Sequence, residues 1–123
     1  MTFDWRQYLD VARFLRDRTD RDSYPDREAA YRCAVSRAYY AAFCHARNYA
    51  RDRLGFFPTY GPDDHVKVRL YFAKRNVRGI ASRLDQLRQA RNRCNYDDAV
   101  PSISGELSRA LSLAEYVIAE LSR

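Results

Sequence analysis

The residues best suited to phosphate chemistry lie in one segment, Arg91-Asn92-Arg93-Cys94-Asn95-Tyr96. Arginine makes planar two-pronged contacts with phosphates and carboxylates. Upstream, apolar residues recur at the spacing of one helical face: Val77, Ile80, Ala81, Leu84 and Leu87. The same spacing places Arg91 on that core-facing stripe. Because a buried arginine is costly unless it is paired or faces a wet cleft, the helix is predicted to change from packing to polar chemistry at Arg91.

A second segment, Ser36-Arg37-Ala38-Tyr39-Tyr40-Ala41-Ala42-Phe43, places an arginine within a helix rich in alanine and aromatic residues. Arg37 shares a helical face with Tyr40. If Arg37 and Arg91 face one cleft, they form a positive site for a phosphate group. The alternative is that Arg37 extends to solvent or pairs with a carboxylate, while Tyr39 and Tyr40 fill the core.

Polar residues surround Arg91 along its own helix. Arg88 precedes it by three residues and Asn95 follows it by four, so all three project from neighbouring positions. Asn92 and Tyr96 add hydrogen-bonding groups. The candidate phosphate- or RNA-binding residues beside Arg91 are therefore Arg37, Tyr40, Arg88, Arg93 and Asn95.

The net charge of +6 comes almost entirely from arginine, since only Lys67 and Lys74 are lysines. This balance allows a nucleic-acid partner. Equally, it is typical of arginine-rich coding and a solvated surface. No apolar run approaches the ~18–20 residues of a membrane span, and the N-terminus lacks the features of a signal peptide. We expect a cytoplasmic protein with no membrane partner.

Cysteine and histidine usage gives little support for metal or disulfide chemistry. Three cysteines without a CxxC pair do not indicate a disulfide framework, and we expect small half-buried residues instead. Cys44-His45 with His65 is a weak metal candidate, because adjacent helical residues point about 100° apart and further ligands are missing. We predict no metal site and no cofactor.

The elements that must position these residues are helices separated by turn residues. A capping segment, Ser23-Tyr24-Pro25-Asp26, precedes the second helix, Gly55 ends it, and its apolar character on most sides predicts a central position. The charged stretch Thr19–Asp22 is predicted to be a turn. The fold class is all-α, a four-helix up-and-down bundle with an additional short helix, in one domain over residues 1–123. The predicted helices span about Asp4–Arg18, Asp26–Leu54, Asp63–Lys74, Val77–Asn95 and Ser102–Ser122. The last of them carries apolar residues at the amphipathic spacing of a core face: Leu107, Ala110, Leu111, Ala114, Val117, Ile118 and Leu121.

The two arginine segments, in this order and about fifty residues apart, resemble the HEPN domain family of small prokaryotic helical proteins. The resemblance covers the chain from about Ala29 to the C-terminus. It implies a homodimer in which the arginine segments of both protomers meet in a shared groove. It also implies binding of RNA or nucleotides. Many family members are metal-independent ribonucleases, often toxins encoded beside a nucleotidyltransferase-like partner.

The catalytic pattern of that family is an arginine, a polar residue directly after it, and a histidine separated from the arginine by four to six intervening residues. Arg91 and Asn92 match the first two positions, but Tyr96, Asp97 and Asp98 occupy the histidine positions. Histidine titrates near pH 6.5 and tyrosine near 10, and losing a positioned acid–base group typically costs ~10²–10⁴ in rate. If the chain is active, its catalytic residues are Arg91, Asn92 and Tyr96.

Three functions remain open. The first is a dimer that binds RNA or nucleotide phosphates, with weak or absent nuclease activity. The second is a ribonuclease toxin in which Tyr96, or a histidine from the partner protomer, replaces the missing group. The third is a non-catalytic protein-interaction module, in which Asp97, Asp98 or Glu106 neutralises Arg91. Aromatic residues predicted to be exposed favour dimerisation: Phe56, Phe57, Tyr60, Tyr71 and Phe72.

Overall fold

A computed structural model of the protein describes residues 2–21, 26–77 and 79–123, apart from the side chain of Arg21. In these ranges the chain forms five helices and no strand. The helices are α1 (Gln7–Arg21), α2 (Arg27–Arg53), α3 (Asp64–Arg75), α4 (Ile80–Tyr96) and α5 (Ile103–Leu121). The predicted all-α bundle of four longer helices and one short helix is confirmed.

The centre of the bundle is α2, which packs against all four other helices. Its buried alanines allow neighbouring helices to approach closely, because their side chains end at Cβ. The buried alanines are Ala30, Ala34, Ala38, Ala41, Ala42, Ala46 and Ala50. The predicted central position of this helix is confirmed.

The start and end of α1 differ from the prediction. The helix begins at Gln7 because the Asp4 carboxylate accepts the backbone N–H of Arg6 at 3.0 Å and holds a preceding turn. It continues to Arg21, so Thr19 is a buried helical residue and the predicted charged turn there is wrong. Asp22, the last residue of that predicted turn, and Ser23-Tyr24-Pro25 lie outside the described residues. Asp26 precedes α2 but its side chain makes no capping hydrogen bond.

The glycine predicted to end α2 does so. Gly55 has φ +77°, in the left-handed region that side chains rarely adopt. The reversal lets the N–H of Phe56 reach back to the carbonyl of Ala50 at 3.1 Å. The Tyr71 hydroxyl of α3 donates to the carbonyl of Leu54 at 2.7 Å. The end of α2 and the loop that follows are thereby fixed against α3.

The core faces of α4 and α5 were predicted with different success. Every α5 residue assigned to the core is buried: Leu107, Ala110, Leu111, Ala114, Val117, Ile118 and Leu121. On α4 the buried residues are Ile80, Leu84, Leu87, Ala90 and Cys94. The stripe therefore passes through Ala90, three residues after Leu87, and the placement of Arg91 on it is wrong. Arg91 is half-buried at the edge of that stripe.

Among the described helices, none combines the length and the apolar character needed to cross a bilayer.

Candidate functional site

The guanidinium of Arg91 lies against two tyrosines of α2. One terminal nitrogen donates to the Tyr40 hydroxyl at 2.9 Å, and the other donates to Oδ1 of Asn92 at 2.9 Å. The guanidinium carbon is 4.9 Å from the ring centroid of Tyr39 and 5.5 Å from that of Tyr40. Cation–π attraction adds to the hydrogen bonds. The arginine is thus held in one orientation by the central helix.

The charge of Arg91 is not neutralised by any described residue. It forms no ion pair within residues 2–21, 26–77 and 79–123, and its Nε is buried without a hydrogen-bond partner. The acids predicted to neutralise it have other roles. Glu106 pairs with Arg93, and the carboxylates of Asp97 and Asp98 form no ion pair with Arg91; the backbone carbonyls of these two residues accept from Arg32. That prediction is wrong.

His65 of α3 reaches the same group of side chains. Its Nδ1 shares a hydrogen bond with the Tyr39 hydroxyl, and its ring stacks on Phe43 with centroids 4.1 Å apart. Burial lowers the pKa of His65, and the positive charges of Arg91 and Arg69 lower it further. Burial also disfavours the charged form of Tyr39, and this raises the pKa of its hydroxyl. We name Arg91, Asn92, Tyr39, Tyr40 and His65 the arginine–tyrosine cluster.

A cavity of about 420 Å³ adjoins this cluster, between the start of α1, the middle of α2 and the loop before α3. We call it the aromatic cavity, because five aromatic rings, two arginines and a histidine are among its lining residues. These are Trp5, Tyr8, Tyr40, Phe43, Tyr60, Arg37, Arg47 and His65. Tyr40 and His65 belong to both the cavity wall and the cluster.

The two arginines of the cavity stack on aromatic rings. Arg37 lies over Tyr8 at 5.2 Å, and Arg47 lies 5.8 Å from Trp5 and 5.0 Å from Tyr60. Neither has a carboxylate partner in the described part of the chain. Like Arg91, both therefore keep their positive charge available to a ligand.

One acid also lines the cavity, but its oxygens are occupied. Asp64 accepts from the N–H of Thr59 at 3.1 Å, the Thr59 hydroxyl at 2.9 Å and the N–H of Tyr60 at 2.8 Å. Burial alone would raise the pKa of Asp64, but these hydrogen bonds and the charge of Arg47 lower it below its usual value. The carboxylate holds the loop that carries the Tyr60 ring.

The other predicted site residues divide between internal partners and solvent. Arg88 pairs with Asp85 at 2.9 Å, and Arg93 pairs with Glu106 of α5. Tyr96, at the end of α4, is 76% exposed. The structure therefore does not place Arg88, Arg93 or Tyr96 in the arginine–tyrosine cluster, and it leaves Arg88 and Arg93 already paired.

Arg37 and Arg91 do not line a common cavity. Arg37 lines the aromatic cavity and also a groove of about 350 Å³ between α2 and α4, which Asn95 lines as well. Arg91 lines neither. Tyr40 connects them, since it lies one turn after Arg37 and accepts from Arg91. The two predicted segments do come together, but through a tyrosine.

Sequence reasoning missed most of the aromatic cavity. Arg47 was detectable, because Arg37, Tyr40, Cys44 and Arg47 follow one face of α2 at three- and four-residue spacing. No local signal identified Trp5, Tyr8, Tyr60 or His65, since these residues come from other elements and meet α2 only in the folded chain.

The cysteines and histidines do not gather into a ligand set. No group of three or more His, Cys, Asp or Glu side chains in the described ranges could hold a metal ion. His45 Nε2 lies 3.1 Å from the Ser122 hydroxyl, on another side of α2 from the aromatic cavity. Cys44 and Cys94 are buried and Cys33 is exposed, so the expected half-burial is wrong. Burial raises the pKa of Cys44 to about 11.

No protein-family model, curated protein or solved structure matches this chain. The resemblance to the HEPN family therefore stays a prediction from the two arginine segments.

Proposed function

We propose that this protein binds phosphate groups of RNA or nucleotides at the arginine–tyrosine cluster, as a HEPN-like homodimer with weak or absent nuclease activity. The observation that carries the proposal is the guanidinium of Arg91, which Tyr40 and Asn92 orient and no described carboxylate neutralises. A bound phosphate would supply the missing negative charge.

The surroundings of Arg91 favour an anion over a cation. Arg37 and Arg47 are also unpaired, and the one acid of the adjoining cavity, Asp64, is occupied by the loop. Phosphate bound to several arginines forms charge-assisted hydrogen bonds, which are roughly twice as strong as neutral ones. The net charge of +6 would also attract polyanions over longer distances.

The test compares the affinity of a labelled single-stranded RNA for two variants that lose one arginine each. Arg91→Gln removes the unpaired charge, whereas Arg109→Gln removes an exposed charge on α5 whose guanidinium donates to Gln86. We expect Arg91→Gln to weaken binding by roughly 10- to 100-fold, the range of a hydrogen bond to a charged group. Arg109→Gln should stay within about threefold. Equal affinities of the two variants would contradict the proposal.

Salt dependence gives an independent measure of the same contact. Each neutralised phosphate adds a slope of about −0.7 to the plot of log affinity against log salt for single strands. Arg91→Gln should reduce the magnitude of that slope by about one contact, and Arg109→Gln should leave it unchanged.

Homodimerisation belongs to the same proposal, although its expected aromatic surface is smaller than the sequence indicated. Phe56 and Phe72 are buried and Tyr71 is half-buried, which leaves Phe57 and Tyr60 exposed. Two apolar residues of α3 are also exposed, Val66 and Leu70. Sedimentation at micromolar concentration should show a dimer, and a monomer would remove the shared groove. Co-purification with the product of a neighbouring nucleotidyltransferase-like gene would test the proposed partner.

A second candidate function, metal-independent cleavage of RNA, is favoured by the position of His65. The arginine segment lacks the histidine, but His65 of α3 shares a hydrogen bond with Tyr39, the residue whose ring Arg91 lies over. The lowered pKa of His65 keeps the ring neutral at neutral pH, the form that accepts a proton from a 2′-hydroxyl. Cleavage of single-stranded RNA in EDTA that is lost in both His65→Gln and Arg91→Gln would establish this function. Intact RNA with the wild-type protein would exclude it.

A further inference from the structure

We propose that the aromatic cavity binds a nucleobase, so that one nucleotide places its base among Trp5, Tyr60 and Arg47 and its phosphate toward Arg37 and Tyr40. The inference rests on the proposed function. The arginine–tyrosine cluster is proposed to bind phosphate groups, and the aromatic cavity would bind the base of the same ligand. The base comes either from a free nucleotide or from an unpaired position in RNA.

The walls of the cavity suit a flat ring. The guanidinium carbon of Arg47 is 5.8 Å from the ring centroid of Trp5 and 5.0 Å from that of Tyr60, so one planar cation lies near two aromatic side chains. Bases stack on aromatic rings and on arginine guanidinium planes by the same contacts. A base that enters beside Arg47 would therefore have the rings of Trp5 and Tyr60 and the guanidinium plane of Arg47 as stacking surfaces.

The phosphate end is set by α2. Arg37 lies three residues before Tyr40 and seven before Cys44, so all three lie on the face of α2 that lines the cavity. Tyr40 joins this face to Arg91, to which it is hydrogen-bonded at 2.9 Å. Base and phosphate contacts are therefore contiguous, as a nucleotide requires.

The exposed wall is held in place before any ligand arrives. Tyr60 has φ +60°, an unfavourable backbone conformation for a residue other than glycine, yet its N–H is bound by the buried Asp64. Its hydroxyl accepts from Arg51 at 3.1 Å. Strained residues persist where the surroundings fix them, and they concentrate at ligand sites. The ring remains 62% exposed, which leaves one face free to stack.

The size of the cavity agrees with this ligand. At about 420 Å³ it falls in the range of about 300–1,000 Å³ that is usual for small-molecule sites. Its arginines are unpaired, which favours an anionic ligand over a neutral aromatic compound of similar shape. A nucleotide meets both requirements, because it combines a flat ring with a phosphate.

The fluorescence of Trp5 reports on this site directly, because Trp5 is the only tryptophan of the chain. We expect saturable quenching of the wild-type protein by AMP or UMP and by a short single-stranded RNA of the same base. Ribose 5-phosphate and inorganic phosphate should give no quenching. Quenching by the oligonucleotide alone would assign the site to RNA, and quenching by the mononucleotides would assign it to free nucleotides as well.

Two variants that each lose one aromatic side chain separate stacking from general effects. Tyr60→Gly removes the ring while keeping a residue that accepts positive φ, so the backbone is not strained further. It should weaken nucleotide binding by roughly 5- to 100-fold, the range for one stacked base. Phe14→Ala removes a 60% exposed ring of α1 that does not line the cavity, and it should stay within about twofold.

The outcomes distinguish this inference from the proposed function. RNA binding that depends on Arg91, without any Trp5 quenching by nucleotides, overturns the base site and leaves the phosphate site standing. Trp5 quenching that Tyr60→Gly abolishes, with RNA affinity unchanged in Arg91→Gln, supports the base site and contradicts the phosphate site. Equal losses in Tyr60→Gly and Phe14→Ala overturn the stacking arrangement.

Discussion

Two arginines close in sequence, on opposite sides of α4, have different partners in the fold. On the side that faces α5, Arg93 forms an ion pair with Glu106. On the side that faces α2, Arg91 contacts Tyr39, Tyr40 and its own neighbour Asn92, with no described carboxylate. The two residues are separated in the sequence by one asparagine, and their chemical identity is the same.

The comparison shows that the partner, and not the residue type, decides whether an arginine stabilises the fold or remains available to a ligand. A charge paired inside the chain has little to gain from a phosphate, because binding would require the ion pair to break. A charge that rests on aromatic rings keeps its attraction for anions. Arg88, paired with Asp85, belongs with Arg93 in this respect.

The largest expected effect tests which face of α4 is the core face. Ala90→Arg places an unpaired charge at a position that is 4% exposed and should lower the free energy of unfolding by about 3–5 kcal/mol. Gln89→Arg, at the exposed neighbouring position, should change it by no more than about 0.5 kcal/mol. Urea denaturation measures both. If the two variants are equally stable, the core face does not pass through Ala90.

A double-mutant cycle sharpens the assignment of Arg93 to stability. Arg93→Gln should cost about 1 kcal/mol of unfolding free energy, discounted because its side chain is 37% exposed. Its coupling to Glu106→Gln should be about 0.5–1 kcal/mol, whereas Arg91→Gln should show no coupling to Glu106→Gln. RNA affinity should stay within about threefold in Arg93→Gln. A loss as large as that of Arg91→Gln would remove the contrast between the two sides.

A smaller change should follow from losing the hydroxyl that orients Arg91. Tyr40→Phe keeps the ring but removes the acceptor of the 2.9 Å hydrogen bond, so RNA affinity should fall by roughly 3- to 10-fold, which corresponds to about 1 kcal/mol. Tyr49→Phe is the matched control, because Tyr49 packs against Phe72 away from the cluster. Unchanged affinity in Tyr40→Phe would show that the hydroxyl does not position the guanidinium.

The smallest expected effect is a pH dependence of stability from the histidines. The pKa values of His45 and His65 are lowered in the fold, chiefly by burial, from about 6.5 in the unfolded chain. The folded state thus disfavours protonation of the histidines. Their contribution to the unfolding free energy is fully present above about pH 6.5 and is lost as the pH falls below that value. For His65, the charges of Arg91, Arg69 and Arg47 oppose protonation and Asp64 favours it.

Denaturation at about pH 7.5 and about pH 5 isolates this contribution, since carboxylates with lowered pKa values, such as Asp64 and Asp85, titrate at lower pH. The variant His65→Gln should lose less stability than the wild type between these two conditions. An unchanged pH dependence would mean that His65 is equally easy to protonate in both states.

Much of the fold was predictable because helix signals are local. The amphipathic spacing of α5, the alanine-rich middle of α2 and the glycine that ends it all depend on residues within a few turns of one another. The register of α4 was harder. Leu87 has candidate successors at three and four residues, and only packing against neighbouring helices selects Ala90 over Arg91.

The candidate site was predictable only in part, for the same reason. The sequence singled out Arg37, Tyr40 and Arg91, and the structure links them through Tyr40. Nothing in the sequence indicated that Arg88 and Arg93 are paired, because which acids lie beside them is decided by folding. The sequence named His65 only as a weak metal candidate and Tyr60 only as a dimerisation residue, whereas in the fold they reach α2 from α3 and the preceding loop.

By itself the sequence determined an all-helical bundle around α2 and a concentration of arginine and tyrosine on two helices, since periodicity and composition act over short distances along the chain. Only the tertiary structure decided which arginines stay unpaired and that a histidine stands beside Arg91. It also decided that a cavity with aromatic walls adjoins them. These features depend on contacts between residues far apart in sequence, and the free energy of such contacts is set by packing and burial, which no local pattern encodes.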